Sequence, residues 1–212
     1  MLVHYVFLEI GLKKLKDRKD WLENMKVNKQ LNPHITFKLW DDKKVNELIN
    51  KHYPQYKGII KKFPHKFYLI DFCRYLIMDK YGGMYMDLDL RLKKTLPKDL
   101  KVAIGSSYTS KGEAINNNVI YFKDKVLNKN LLDYCVSEIK RIEDKGLFKK
   151  WSGRHFLNSV SAYMFKRFIK KNKLKSDIDF REYFYDGEAG SWIEAGIIKK
   201  HHLKRTGEGT DY

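Results

Sequence analysis

Apolar residues along this chain fall into runs whose spacing sets the elements before any chemistry is considered. Residues 3–10, "VHYVFLEI", hold too few polar positions for one side to face water, so they predict a strand inside a sheet, closed by Gly11. Over 15–31 an amphipathic helix is expected, with Leu15, Trp21, Leu22, Met25 and Leu31 as its inner side and Asn32-Pro33 as its break. A second strand follows at 35–40, and Asp41 and Asp42 cap a helix that runs through Ile49. Residues 53–65, with two prolines, read as a connection. The stretch 67–81 is then apolar on nearly every side, which predicts a helix enclosed by the rest of the protein. Gly82-Gly83 stops it. A strand at 84–91 would send Met84, Met86, Leu88 and Leu90 to one side and Tyr85, Asp87, Asp89 and Arg91 to the other.

The second half is less sharply patterned. A short strand is expected at 102–105, a polar loop suited to part of a lid at 106–113, and a strand at 119–122 preceded by three asparagines. An amphipathic helix is expected at 127–145, and a further helix ends at about Phe168. Residues 170–175 form a basic, solvated, linker-like run. The alternation predicts an α/β fold, a single domain over 1–205 with a mixed β-sheet flanked by helices. Residues 206–212 lack the makings of an element and read as a flexible tail or a linker to a further domain.

Composition narrows the class. Hydrophobic content of 43% and aromatic content of 14% are ordinary for a folded domain. No apolar run reaches membrane-span length, and the N-terminus lacks a signal-peptide pattern, so a cytoplasmic protein is expected (the host cytoplasm for a viral one). Cys73 and Cys135 read as reduced core residues. The net charge of +17 is mostly scattered lysine, and the aromatic residues sit at core spacing rather than between basic residues. A solvated lysine-rich surface therefore ranks first, a field that draws in a phosphorylated substrate second, and dedicated nucleic-acid binding third.

The candidate chemistry lies in the central stretch. Asp71 and Arg74 share one face of an otherwise apolar helix, and charges so placed need a partner or a ligand. Asp87 and Asp89 would project from one strand face, about 7 Å apart. Such a pair suits a hard divalent cation with positions left open for water or phosphate. Leu8, at the end of the first strand, is a candidate to pack against a nucleotide base. Asp186, Glu188 and Trp192 lie in a stretch rich in acids and aromatics and are candidates for acceptor binding or for a general base.

The segment "DFCRYLIMDKYGGMYMDLDL" resembles the core of the D-x-D sugar-transferase family. That family includes the initiating α-1,6-mannosyltransferases, the α-1,4-galactosyl- and N-acetylglucosaminyltransferases, bacterial capsule glycosyltransferases and the clostridial glucosylating toxins. "LNPHITFKLWDDKKVNELINKHYP" is similar to the segment that precedes this core, and a narrower likeness is to chlorovirus enzymes that build a capsid-protein glycan. The resemblance implies a GT-A fold and a metal-dependent glycosyltransferase that moves a hexose from a nucleotide diphosphate sugar, UDP-sugar before GDP-sugar, to a glycan or glycoprotein acceptor. It implies Mn²⁺ or Mg²⁺ on Asp89, with Asp87 bridging metal, ribose and sugar. Arg74 would hold phosphate or sugar, Asp71 the sugar hydroxyls, and Tyr85 would pack near the nucleotide. Trp40 is either plain core or, as the resemblance has it, close to the nucleotide, and Asn117 is a donor or acceptor contact. A late histidine, His201 or His202, would add a metal ligand or diphosphate contact, and Lys204 with Arg205 would neutralise the diphosphate. Two other classes fit the same acids: a metal-dependent phosphohydrolase or nuclease, and a sugar-nucleotide-binding module without turnover.

Overall fold

The structure is a computed structural model that describes residues 1–10, 14–109, 112–149 and 152–185. Strands β1 (Leu2–Val6) and β2 (Thr36–Trp40) are parallel neighbours, linked through helix α1 (Lys19–Leu31). Helix α2 (Asp42–His52) follows, and two short turns of helix, at Pro54–Tyr56 and α3 (Lys57–Lys61), occupy the stretch expected to be plain connection. Helix α4 (Lys66–Tyr81) leads into β3 (Met84–Met86), which pairs in parallel with β1. The short β4 (Arg91–Leu92) lies outside the main sheet. Strands β5 (Val102–Thr109) and β6 (Gly112–Phe122) then form an antiparallel ribbon, and β6 pairs antiparallel with β3. The main sheet therefore runs β2-β1-β3-β6-β5. Helices α5 (Lys125–Asp144), α6 (Gly153–Ser159), α7 (Ala162–Lys171) and α8 (Phe180–Tyr183) follow, and β7 (Phe184–Tyr185) returns to pair with β4. The mixed α/β architecture is the expected one.

Side-chain alternation divides the core between the two faces of the sheet. Val6, Tyr85, Ile104, Ile120 and Phe122 join α2, α4, α5 and α7 in one apolar cluster. Val3, Tyr5, Met84, Met86 and Val119 join Trp21, Met25 and Leu31 of α1 and the β4–β7 ribbon in another. As the sequence predicts, α4 is buried along nearly its whole length, Asp71 and Arg74 included. His65 caps its start by accepting Phe67 N–H at Nδ1. At its other end Gly82 and Gly83 both take positive φ, and a Cβ on Gly83 would lie 2.4 Å from the carbonyl oxygen of Leu2. His4 closes this corner. Its Nδ1 accepts the indole N–H of Trp40 at 3.1 Å, so Nε2 carries the proton and donates to Gly82 O at 2.9 Å. Burial pushes the His4 pKa down to about 4, and the ring is neutral.

Several boundaries differ from expectation, each because a distant partner overrides the local pattern. The first strand ends at Val6 rather than Ile10. Asp41 alone caps α2, accepting Lys44 N–H, while Asp42 is its first helical residue. Leu22 is exposed rather than on the inner side of α1. The 106–113 loop is largely strand, since Ser106 pairs with Ile115 and Ser107 with Ala114 across the ribbon, and the pairing continues to Thr109 and Gly112. The strand expected over 84–91 extends only to Met86. Residues 87–90 form a turn closed by Leu90 N–H donating to Asp87 O at 3.2 Å. Asp87 and Asp89 thus lie on a turn, and the spacing of an extended strand does not apply to them. Among the described residues, no helix is long and apolar enough to cross a membrane.

Because Gly83 combines positive φ with backbone contact, Gly83→Ala should lower unfolding free energy by about 2 kcal/mol or more. Urea denaturation followed by circular dichroism checks this; a change below about 0.5 kcal/mol would contradict the close approach to Leu2.

Candidate functional site

In a sheet ordered β2-β1-β3, the chain leaves β1 in one direction for β2, while β3 lies on the other side. Ligands in open α/β sheets gather outside the carboxyl ends of strands at such a reversal. The turn bearing Asp87 and Asp89 follows the carboxyl end of β3 there. What aims it is a bulge in β6. Pairing with β5 jumps from Ile104–Ile120 to Gly105–Asn116, so Asn117, Asn118 and Val119 drop out of that ladder while β3 stays in register with β6. The bulge turns backbone groups toward the site: Asn118 O accepts Asp87 N–H at 2.9 Å, and Asn117 O accepts Arg74 Nη1 at 2.7 Å. Only glycine suits position 105, since a Cβ there would lie 1.9 Å from Asn118 Oδ1 and 2.5 Å from Val119 N.

Around Arg74 the polar groups form one network. Its Nη2 donates to Asp71 Oδ1 at 2.5 Å and lies 3.5 Å from Asp87 Oδ1. Its guanidinium carbon sits 4.4 Å from the centre of the Tyr85 ring, a cation–π distance. Asn117 Nδ2 donates to Asp71 Oδ2 at 3.1 Å and reaches the Tyr75 hydroxyl at 3.0 Å, and that hydroxyl donates to Val160 O. Tyr85 donates its hydroxyl hydrogen bond to Asp87 Oδ1. Arg74 Nε has no hydrogen-bond partner among the described residues. Burial works against the guanidinium charge, yet the carboxylates of Asp71 and Asp87 outweigh it and hold its proton more tightly than usual. Asp87 shows the opposite balance. Its burial, with Asp89 and Asp71 nearby, outweighs the pull of Arg74 and the Tyr85 hydroxyl, and its pKa is pushed up to about 7.

The structure thus brings together five of the residues singled out in the sequence: Asp71, Arg74, Tyr85, Asp87 and Asn117. The Arg74 fork is engaged by Asp71 and by Asn117 O, and both Asp71 oxygens accept hydrogen bonds from within the protein. Asp89 is half-buried on the turn. Leu8 is buried in the cluster on the α4 face. Trp40 is buried too; it bonds to His4 and packs against Tyr81, with Lys38 Nζ 4.0 Å from its ring centre. Asp186, Glu188, Trp192, His201, His202, Lys204 and Arg205 lie outside the described residues, as does the domain boundary expected at 205. The pattern of the sequence did not single out His4, Asn28 or the C-cap Asn32; for Asn28 a polar residue at an inward helical position was the available signal.

Carboxylate oxygens of Asp87 and Asp89 are the donor type that Mg²⁺ and Mn²⁺ take. Among the described residues, no three His, Cys, Asp or Glu side chains group so as to hold a metal ion. Asp87 and Asp89 thus offer two carboxylates of that donor type on one turn, and any further ligands would have to come from water or substrate.

Residues 11–111 match the family described as "Glycosyltransferase sugar-binding region containing DXD motif". The chain is 33% identical over 102 residues to inositol phosphoceramide mannosyltransferase 3 of Schizosaccharomyces pombe (strain 972 / ATCC 24843), covering 48% of this chain and 28% of that protein. It is 25% identical over 183 residues to inositol phosphoceramide mannosyltransferase 2 of the same organism, covering 79% of this chain and 52% of that protein. The chain thus spans about half, or less, of the length of these relatives. Among solved structures, the PaToxG glycosyltransferase shares the fold with a TM-score of 0.53 at 13% identity, over 81% of this chain and 68% of that one. The resemblance to D-x-D glycosyltransferases is borne out over residues 11–111.

A carboxyl whose pKa is raised on folding is uncharged in both states well below its ordinary value and costs stability once it must ionise. For Asp87 that cost grows as pH rises from about 4 toward 7 and is complete above. Asp87→Asn should therefore stabilise the protein by about 1 to 3 kcal/mol at pH 8, with the gain shrinking toward pH 4. Urea unfolding at the two pH values tests it, and an equal difference at both would contradict the assignment.

Proposed function

We propose that this chain is the transferase domain of a glycosyltransferase that moves a hexose from a nucleotide diphosphate sugar to an acceptor hydroxyl. The observation that carries the reading is the join between the D-x-x-R helix and the D-x-D turn, through Arg74, Asp87 and Tyr85, within the stretch that matches the sugar-binding family. Asp89 and Asp87 would hold Mn²⁺ or Mg²⁺ together with the donor phosphates. When bound, the cation supplies Lewis-acid stabilisation of the charge that gathers on the departing diphosphate. Arg74 stays protonated and sets a fixed positive charge behind the turn, in a setting that needs no rearrangement as charge develops. Asp71 and Asn117 fix the guanidinium plane. Among the described residues, Tyr85 and Arg74 both engage Oδ1 of Asp87, which leaves Oδ2 as the oxygen for a ligand. The acceptor hydroxyl must lose a proton, and Asp186 or Glu188 would take it.

UDP-sugar is the donor that the toxin and galactosyltransferase resemblance implies. The relatives' names favour mannosyl transfer, so GDP-linked mannose is the second donor. Those names also carry inositol phosphoceramide, a phosphate-bearing acceptor, and a net charge of +17 suits an anionic acceptor as well as a sugar nucleotide. A glycan or glycoprotein hydroxyl is the other acceptor to test.

Asp89→Ala should weaken cation-dependent UDP or GDP binding by about 100-fold or more while changing stability by no more than about 1 kcal/mol. Calorimetric titration of each nucleotide with and without Mn²⁺, followed by a donor-hydrolysis assay, measures this. Full transfer activity in the presence of a chelator would defeat the proposal, and salt-sensitive polynucleotide cleavage would favour the nuclease reading instead.

A further inference from the structure

Helix α1 carries asparagines at positions 24 and 28, and Asn32 is its C-cap, so the three recur every four residues along one side. That side meets the main chain that leaves the acidic turn. Asn24 Nδ2 donates to Leu88 O at 3.4 Å. Asn28 Nδ2 donates to Leu90 O at 3.0 Å and to the Tyr5 hydroxyl at 2.9 Å, while Asn28 Oδ1 accepts Leu92 N–H at 2.7 Å. Asn32 Oδ1 accepts Leu96 N–H at 2.9 Å, and its Nδ2 donates to Asn28 O. Asn28 and Asn32 are fully buried. The orientation of the Asn28 amide is settled by chemistry, because a peptide N–H must face its oxygen and a peptide carbonyl its nitrogen. Asn28 thus stands in for one peptide group of a neighbouring strand. The ribbon partner β7 takes one edge of β4, and this amide takes the other.

Asparagine is a poor helix former, and its surroundings here are apolar: Leu88, Leu90, Leu92 and Tyr5 belong to the cluster beneath α1. A leucine would suit that packing but would leave Leu90 O and Leu92 N–H buried without partners. Asp89 is the residue immediately before Leu90. On its near side the turn is tied to β6 by Asp87 N–H and closed by Leu90 N–H. Its far side is set by Asn28.

We propose that Asn28 is a positioning residue for the acidic turn: by gripping Leu90 O and Leu92 N–H it sets the place of Asp89 and so the affinity for a cation and the diphosphate of a sugar nucleotide. The proposal rests on the donor-site reading above. Three variants test it: Asn28→Ala, the isosteric Asn28→Asp, which keeps the contact to Leu92 and loses the donor to Leu90, and Asn32→Ala, which releases Leu96 farther along. Each is measured by thermal melting, by amide hydrogen exchange without metal or nucleotide, and by titration with Mn²⁺ plus UDP or GDP below the melting range. Both Asn28 variants should bind about 10- to 100-fold more weakly, with faster exchange over residues 88–92. Asn32→Ala should lose comparable melting temperature yet bind within about twofold of the parent. Asn28 variants that only melt earlier, with parental exchange at 88–92 and parental affinity, would overturn the proposal. A parent protein that binds neither nucleotide would instead overturn the donor-site reading, and the positioning role would fall with it whatever the exchange data showed.

Discussion

Arg74 is a guanidinium only 2% exposed, and a charge held that far from water persists only where its donors and its field are matched. Much of the site follows from this requirement. Asp71 supplies a carboxylate one turn earlier on the same helix, but one i, i+3 pair leaves other N–H groups unanswered. The bulge in β6 answers one of them by turning Asn117 O inward, and the Asn117 side chain then ties down the second Asp71 oxygen. Tyr85 covers the guanidinium face, and Asp87 lies at its edge. The close Arg74–Asp71 pair contributes little net stability by itself, whereas removing Asp71 alone would cost about 3–5 kcal/mol. The network is better understood as a device for holding the acidic turn at a fixed place than as a staple of the fold.

The turn is held from both faces of the sheet. On the α4 face charge does the holding, through Arg74 and the Tyr85 hydroxyl. On the α1 face neutral amides do it, through hydrogen bonds to main-chain groups. The division has electrostatic sense. Burial, with Asp89 and Asp71 nearby, already raises the Asp87 pKa, so a further carboxylate would worsen the balance, and a second cation would compete with any metal ion held there. Amide groups fix geometry without adding net charge.

The Gly82–Gly83 corner connects these arrangements to the rest of the sheet. Neutral His4 bonds to its carbonyl, Trp40 bonds to His4, and Tyr81 packs on Trp40. A side chain that the family resemblance places beside a nucleotide thus takes part in anchoring the corner from which β3 starts. Its indole N–H is committed to a histidine 36 residues earlier in the chain.

Local rules were enough for much of this protein. An apolar run with two charges on one face made α4 a buried helix, the paired glycines ended it, Asp41 capped α2, and the D-x-x-R and D-x-D spacings marked residues that the fold gathers around Arg74. Each depends on residues within a few positions, where helix periodicity, capping and positive-φ preference act. The pattern over 84–91 could not reveal where β3 ends, because strand length depends on pairing, and β6, some 30 residues away, bulges beside Asp87. Nor could it show that asparagines 60 residues upstream hold the turn, or that Asp87 is desolvated enough to stay partly protonated near neutral pH. Those facts belong to contacts between segments far apart in sequence, where burial and hydrogen-bond partners are set by the packed fold and not by the order of the residues.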